Sequence, residues 1–377
     1  MSTLPSIAQC TDLKGKRVLL RLDLNVPLEG GEIRDTYRIA KALPTLKLLR
    51  DAGARTIVVS HIGKGKKEDT LLPIAEYLNK LFPVTFLPQL DNPDNERLSR
   101  AMEDGDVLLL ENVRHNEGEE KNDPEFAKKL ARLGDIYVND AFSVSHRAHA
   151  SISGVPALLP HYAGLQMEAE VARLSLAFDP ERPFLFVLGG AKISTKMPLL
   201  KKFLNIADHV LVGGATVNNL LKAKGFEIGK SVYDDTELGG LDEVLSNDRL
   251  ILPTDVVVKN DAGAEERDVH LVTAGDIIVD IGPETIRSLQ EIIGSAKLIV
   301  WNGPLGFYEE GFTDGTRELL GLISGSRATS IIGGGDTVAL IAEMGTLEHF
   351  SFVSTGGGAM LEYLATETLP GIEALQK

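Results

Sequence analysis

The sequence predicts an α/β protein built from two doubly wound, Rossmann-like domains, each with a parallel central sheet, joined by a hinge helix. Three observations carry this. Short runs rich in Val, Ile, Leu and Phe alternate with amphipathic segments from one end to the other. Those runs are apolar at successive positions, as strands covered by helices on both faces require. The 377 residues exceed what one compact core usually holds.

In the first half, Arg17-Val-Leu-Leu-Arg-Leu22 reads as a strand, and residues 56–60, 107–110 and 136–139 repeat the pattern. Segments 37–51, 72–81 and 123–133 have helical periodicity and supply the cover. Residues 184–188, 209–212, 298–301, 329–332 and 350–353 predict the strands of a second domain, with right-handed crossovers. Between the two sets, Met167, Val171, Leu174 and Phe178 share one helical face. Asp179-Pro180 ends that helix, because proline disfavours helical geometry in the residue before it. The expected boundaries are 1–162, an interdomain helix at 163–179, and 180–365.

Composition narrows the function. A formal charge of −15 disfavours nucleic acid and anionic membranes as partners. Cys10 stands alone, so no internal disulfide or Cys-rich metal site forms. The start of the chain shows no basic and apolar leader, and no apolar run reaches the roughly 18 residues of a membrane span. The expected location is the cytoplasm.

Two glycine triplets, Gly333-Gly-Gly335 and Gly356-Gly-Gly358, stand where a strand should pass into a helix. A helix N-terminus carries unpaired N–H groups and about half a positive charge, and glycine lets an anion approach them. Two such platforms favour a polyphosphate ligand over simple tight turns.

The first half places Arg21, Arg38, His61, Lys64, Arg114, His146, Arg147 and His149 at strand ends and in loops. Ligands of doubly wound sheets bind beyond the carboxyl ends of strands. Converging guanidinium groups there suit a small, multiply charged anion, and Asp23 and Asn25 offer partners for its hydroxyl. His146-x-x-His149 also invites a metal reading, but without acidic companions that spacing is weak evidence for zinc. Anion recognition is favoured.

In the second half, Gly189-Gly-Ala-Lys192 with Lys196 follows a strand, as do Gly213-Gly214 and Asn302-Gly-Pro304 with Glu309 beyond. These loops offer a slot for a base, a polar group for a ribose and donors for phosphates. Asp336 is placed to hold Mg²⁺, which takes one or two carboxylates plus phosphate oxygens. Gly225-Phe-Glu-Ile-Gly-Lys-Ser231 mimics a Walker A loop but is one residue short between its glycines. No Gly-x-Gly-x-x-Gly run opens a helix, which argues against a nicotinamide dinucleotide.

Eight stretches together resemble the phosphoglycerate kinase family in its own order. They run from Arg21-Leu-Asp-Leu-Asn-Val-Pro27, Ser60-His-Ile-Gly63 and Leu109-Leu-Glu-Asn-Val-Arg114 through Asp140-Ala-Phe142 with His146-Arg-Ala-His-Ala-Ser151 and Leu188-Gly-Gly-Ala-Lys192. They end with Val300-Trp-Asn-Gly-Pro304, Gly333-Gly-Gly-Asp-Thr337 and Ser354-Thr-Gly-Gly-Gly358. The resemblance implies a monomeric enzyme that moves a phosphoryl group between 1,3-bisphosphoglycerate and Mg-ADP, giving 3-phosphoglycerate and ATP. The alternative is an inactive relative that only binds triose phosphate or nucleotide.

By the same resemblance, Asp23, Asn25, Arg38, His61, Arg114 and Arg147, with Arg21 and Lys64 beside them, hold 3-phosphoglycerate. Lys192, Lys196, Gly213, Asn302, Glu309, Gly334, Gly335, Asp336 and Thr337 hold the nucleotide, with Glu309 on the ribose and Asp336 on Mg²⁺. Arg38 and Lys192 are expected to flank the moving group, with the amides at Gly335 and Gly357 aimed at its charge. The C-terminal tail, 366–377, is expected to return to the first domain. The chain departs from the family at Lys64-Gly65, where arginine and proline are usual, at Ser143, usually glycine, and at Thr195, usually aspartate. Thr216-Val217 and Thr366-Glu367 also differ from common choices.

Overall fold

The computed structural model describes residues 4–236 and 239–377. The chain divides into two compact units. One holds the residues up to Ala172 together with Thr368–Lys377, and the other is Arg173–Glu367.

The first unit is built on six strands: β1 (Arg17–Leu22), β2 (Arg55–Val59), β3 (Thr85–Leu87), β4 (Val107–Leu110), β5 (Ile136–Asp140) and β6 (His161–Ala163). Their order is β3-β4-β2-β1-β5-β6, and every pair is parallel. β1 is buried along nearly its whole length, as expected for strands apolar on both faces. Val18, Leu20 and Leu22 pack with Ile39, Leu46 and Leu49 of helix α1 (Tyr37–Asp51). Each such buried side chain contributes about 1.5–3 kcal/mol.

The amphipathic segment after β6 is α-helical over Leu165–Leu174 (α2) and tightens to a 3-10 turn at Ser175–Ala177. The division between the units falls inside α2. Its first turn is capped by buried Asp140, whose carboxylate accepts from Met167 N at 2.9 Å.

The second unit repeats the plan with β7 (Phe184–Leu188), β8 (His209–Val212) and β9 (Leu250–Ile251). A separate antiparallel sheet follows, formed by β10 (Asp255–Asn260), β11 (Gly263–Asp268) and β12 (Ile277–Ile281), with β10 in the middle. The chain then returns to the main sheet with β13 (Leu298–Asn302), β14 (Thr329–Gly333) and β15 (Phe352–Val353). The parallel order is β9-β8-β7-β13-β14-β15. Phe186 stacks on Phe203 of helix α3 (Met197–Ile206) with centroids 4.1 Å apart, which fixes that helix against the sheet. Helices α4 (Ala215–Ala223) and α5 (Asp314–Ser324) belong to the same unit.

The fold class is the one the sequence predicts, and the structure adds the short strands β3, β6 and β9 to the parallel sheets. The antiparallel sheet was not expected, because β11 reads Gly-Ala-Glu-Glu-Arg-Asp and is almost wholly exposed, so it carries no apolar pattern. The last strand begins at Phe352 rather than Phe350. Ser330 and Ser351 instead exchange bonds, each backbone N–H donating to the other's hydroxyl at 3.0–3.1 Å, in place of a ladder pair.

Candidate active site

In the first unit, β1 and β5 are neighbours although three strands of the same sheet separate them in sequence. The crevice beyond their carboxyl ends is the topological switch point, where doubly wound sheets bind ligands. Asp23 and Asn25 leave β1 there, His61 leaves β2, Arg114 lies after β4 and Arg147 after β5. Arg38 enters from the first turn of α1 and donates to Asp23 Oδ2 at 2.7 Å. Ser143 donates its hydroxyl to the same oxygen. Asn25 Oδ1 accepts from Gly63 N at 2.9 Å, which joins the first two loops.

His61 is buried among cations. Burial first, and then the positive fields of Arg21, Arg114, Arg38 and Arg147, hold its pKa well below the usual histidine value. It is therefore neutral at physiological pH, and the charge of the site comes from arginine and Lys64. Burial, with the fields of Arg114, Arg147 and Arg21, brings His149 down to about 4.

The cations divide by exposure. Arg147 and Lys64 are exposed and Arg38 is half-buried, so their charges are open to a ligand. Arg21 is turned inward: it is 1% exposed and donates to Leu22 O, to Ser151 Oγ at 2.9 Å and toward His61 Nδ1 at 3.2 Å. Arg114 donates to Gly63 O at 2.5 Å, and its buried Nε, 3.4 Å from Glu120, has no hydrogen-bond partner among the described residues.

Glu119 is the anchor that sequence reading missed. It is fully buried and accepts from Ser151 N at 2.9 Å and Ser151 Oγ at 2.6 Å, so it fixes the serine that holds Arg21. It lies in the charged run Glu117-Gly-Glu-Glu-Lys121, which reads as solvated surface, and its partner is 32 residues away.

Gly65 accounts for one departure from the family pattern. Its φ of +83° lies outside the range proline can adopt, and an added Cβ would meet Arg114 O at 2.6 Å.

In the second unit the switch point lies between β7 and β13. Their loops interlock: a Cβ on Gly189 would overlap the carbonyl oxygens of Gly303 and Pro304. Beside them opens a cavity of about 320 Å³, lined by Gly213, Gly214, Val232, Phe307, Glu309 and Asp336 among others. Its walls are mostly apolar, as a planar base requires.

Strand β14 passes directly into helix α6 (Gly335–Glu343), and β15 leads to helix α7 (Gly358–Thr366), so both glycine triplets open a helix. Thr337 is fully buried in the first turn of α6, and its hydroxyl has no hydrogen-bond partner among the described residues, which fits a phosphate oxygen as an acceptor. Asn302 lies beneath this turn, 3% exposed.

The two lysines do not act as one pair. Lys192 is exposed, whereas Lys196 is buried and donates to Gly189 O. Burial alone brings Lys196 down to about 8. It braces the loop from beneath while Lys192 projects from it.

Mg²⁺ fits the acidic end of the cavity. Burial and the neighbouring charge of Glu309 both raise the Asp336 pKa, so a cation is favoured there. Among the described residues no group of three or more His, Cys, Asp or Glu side chains is placed to hold a metal. Asp336 would therefore share the ion with phosphate oxygens.

Two switch-point crevices, one walled by cations and one apolar with helix N-termini at its edge, define a phosphoryl-transfer enzyme that uses a nucleotide. The family model described as phosphoglycerate kinase matches residues 7–367. The chain belongs to the phosphoglycerate kinase family. It is 47% identical to the phosphoglycerate kinase of Dictyoglomus turgidum, over 97% of this chain and 96% of that one. It is 45% identical to that of Thermosipho africanus at the same coverage. The solved phosphoglycerate kinase of Coxiella burnetii superposes with a TM-score of 0.85 at 39% identity, covering 99% of both chains. That of Pyrococcus horikoshii gives 0.88 at 32% identity, covering 99% of this chain and 98% of that one.

Proposed function

We propose that this chain catalyses reversible transfer of a phosphoryl group from 1,3-bisphosphoglycerate to Mg-ADP, giving 3-phosphoglycerate and ATP in glycolysis and the reverse in gluconeogenesis. Membership of the family over nearly the whole chain carries the reading. The crevice geometry supports an assignment of 3-phosphoglycerate to the first unit and nucleotide to the second.

In this reading the acyl P–O bond breaks, the carboxylate leaves, and a β-phosphate oxygen of ADP forms the new P–O bond. Neither the nucleophile nor the leaving group needs a proton moved. Positioning and charge stabilisation therefore suffice, and a neutral His61 is no handicap. Arg147 and Lys64 offer exposed charge to the substrate phosphate, and Arg114 contributes from its loop. Arg38 and Lys192 flank the moving group, and the amides of Gly335 and Gly357 stabilise its equatorial oxygens. Bound Mg²⁺ supplies charge neutralisation on the nucleotide phosphates, with Asp336 holding it. Since the two ligands are assigned to different units, the reaction requires a hinge closure that also excludes water from the acyl phosphate. In this reading the enzyme is a cytoplasmic monomer, as the family implies, and the lone Cys10 fits a reducing compartment.

A coupled assay in the ATP-consuming direction tests the proposal. ATP-dependent formation of the acyl phosphate is expected, and no turnover under saturating Mg-ATP and 3-phosphoglycerate would refute it.

A further inference from the structure

The loop that carries Lys192 is tied to a carboxylate forty residues away. Ser194 donates its backbone N–H at 3.1 Å, and also its hydroxyl, to Oδ2 of Asp234. The other oxygen accepts from Thr236 N at 3.2 Å and Thr236 Oγ1 at 2.6 Å. These donors, Ser194 foremost, hold Asp234 ionised, well below the usual carboxylate range.

The segment around Asp234 is itself fixed. Asn219, on helix α4 (Ala215–Ala223), accepts from Asp234 N at 3.0 Å and donates to Asp234 O at 2.6 Å. Asn218 donates to Val232 O at 2.8 Å. Val232 lines the cavity, and its segment is clamped to α4 through Asn218 and Asn219. Within the lysine loop, Thr195 stands where the family usually has an aspartate, and its hydroxyl donates to Lys192 O at 3.0 Å.

We propose that Asp234 is a positioning residue for phosphoryl transfer: it holds the Lys192 loop through Ser194 and joins it to the wall that carries Val232, so that both ends of a bound nucleoside diphosphate are set in register. This rests on the kinase reading of the second unit. Asp234 touches Ser194 rather than the substrate, so its effect is exerted through the loop.

The test compares Asp234→Ala, Asp234→Asn, Ser194→Ala and Thr236→Ala with the wild type, using Mg-ADP affinity by calorimetry and steady-state kinetics. For Asp234→Ala we expect Kd and KM for nucleotide to rise tenfold or more, with KM for 3-phosphoglycerate unchanged within twofold. Asp234→Asn keeps an acceptor for Ser194 and should recover much of that loss. Ser194→Ala should show part of the loss. Thr236→Ala removes a donor outside the lysine loop and should leave nucleotide affinity unchanged.

Nucleotide Kd and KM within twofold of wild type in Asp234→Ala would overturn the proposal. So would equal rises in KM for both substrates with a lowered melting temperature, since that marks general destabilisation. If Asp234→Ala does not fold, Ser194→Ala decides by the same criteria. A wild type that binds Mg-ADP without turnover would refute the kinase reading, while the Kd comparison still decides for or against Asp234.

Discussion

Arg38 and Asp23 form an ion pair of 2.7 Å whose carboxylate partner is almost wholly buried, with side-chain exposures of 30% and 7%. The arginine at the proposed site of transfer is thus held before any ligand arrives. Breaking the pair leaves a carboxylate at a buried position with fewer donors. Arg38→Ala should cost about 1–3 kcal/mol of stability. It should also lower kcat by a hundredfold or more and raise KM for 3-phosphoglycerate. Denaturant titration and steady-state kinetics check this, and an unchanged kcat would remove Arg38 from the reaction.

Ser143 donates to the same Asp23 oxygen from a buried 3-10 turn. Removing its hydroxyl leaves Asp23 bonded to Arg38 and to Asn25 N at 3.1 Å. Ser143→Ala should therefore lose only about 1 kcal/mol and keep kcat within threefold. A loss of activity comparable to that of Arg38→Ala would show that the serine sets the arginine's position.

Lys192 and Lys196 should separate kinetically. Lys192 is exposed and proposed to meet charge that develops in the transition state, so Lys192→Ala should lower kcat by about 10²–10³-fold with little change in KM. Lys196 is brought down to about 8 by burial. In the wild type, KM for nucleotide should rise as pH passes upward through that value, because the lysine then loses its charge. A flat KM between pH 7 and 9.5 would show that the Lys196 charge does not support nucleotide binding.

Burial raises Asp140 to about 7, although it accepts from Met167 N. The folded state therefore keeps a proton that the unfolded chain releases near pH 4. That contribution is present in full below about pH 4 and is lost as pH rises through 7. Asp280, raised to about 7 by burial, acts in the same direction. Asp140→Asn removes one titration, so the fall in stability between pH 5 and 8 should be smaller than in the wild type, by an amount on the order of a few kcal/mol. Urea midpoints at the two pH values measure it, and identical falls would show that Asp140 ionises normally in the fold.

The parts of the molecule legible in the sequence were those with a local signature. The apolar runs at Arg17–Leu22 and Phe184–Leu188 gave central strands, and both glycine triplets gave helix starts. Two-residue strands such as Leu250–Ile251 are too short to show a period. The inward turn of Arg21 and Lys196 was not legible either. A basic residue at or beyond the end of an apolar strand reads as a ligand group, and only Ser151, His61 and the Gly189 carbonyl, brought up by the fold, reveal the bracing role. The same holds for Glu119, whose charge has no sequence neighbour to betray its burial.

The glycines around the second crevice are not equivalent, and substitution should sort them. A Cβ on Gly189 would collide with the backbone of Gly303 and Pro304, so Gly189→Ala must disrupt the interlocked loops. Gly335 opens helix α6, and an added Cβ there meets nothing within 4 Å among the described residues. Alanine is the better helix former by about 1 kcal/mol, so Gly335→Ala should fold at least as stably as the wild type. If a nucleotide phosphate approaches that backbone, the methyl group lies in its path, and KM for nucleotide should rise tenfold or more at unchanged melting temperature. Wild-type KM in a stable Gly335→Ala protein would mean that phosphate binds elsewhere, and the role proposed for the first glycine triplet would fail.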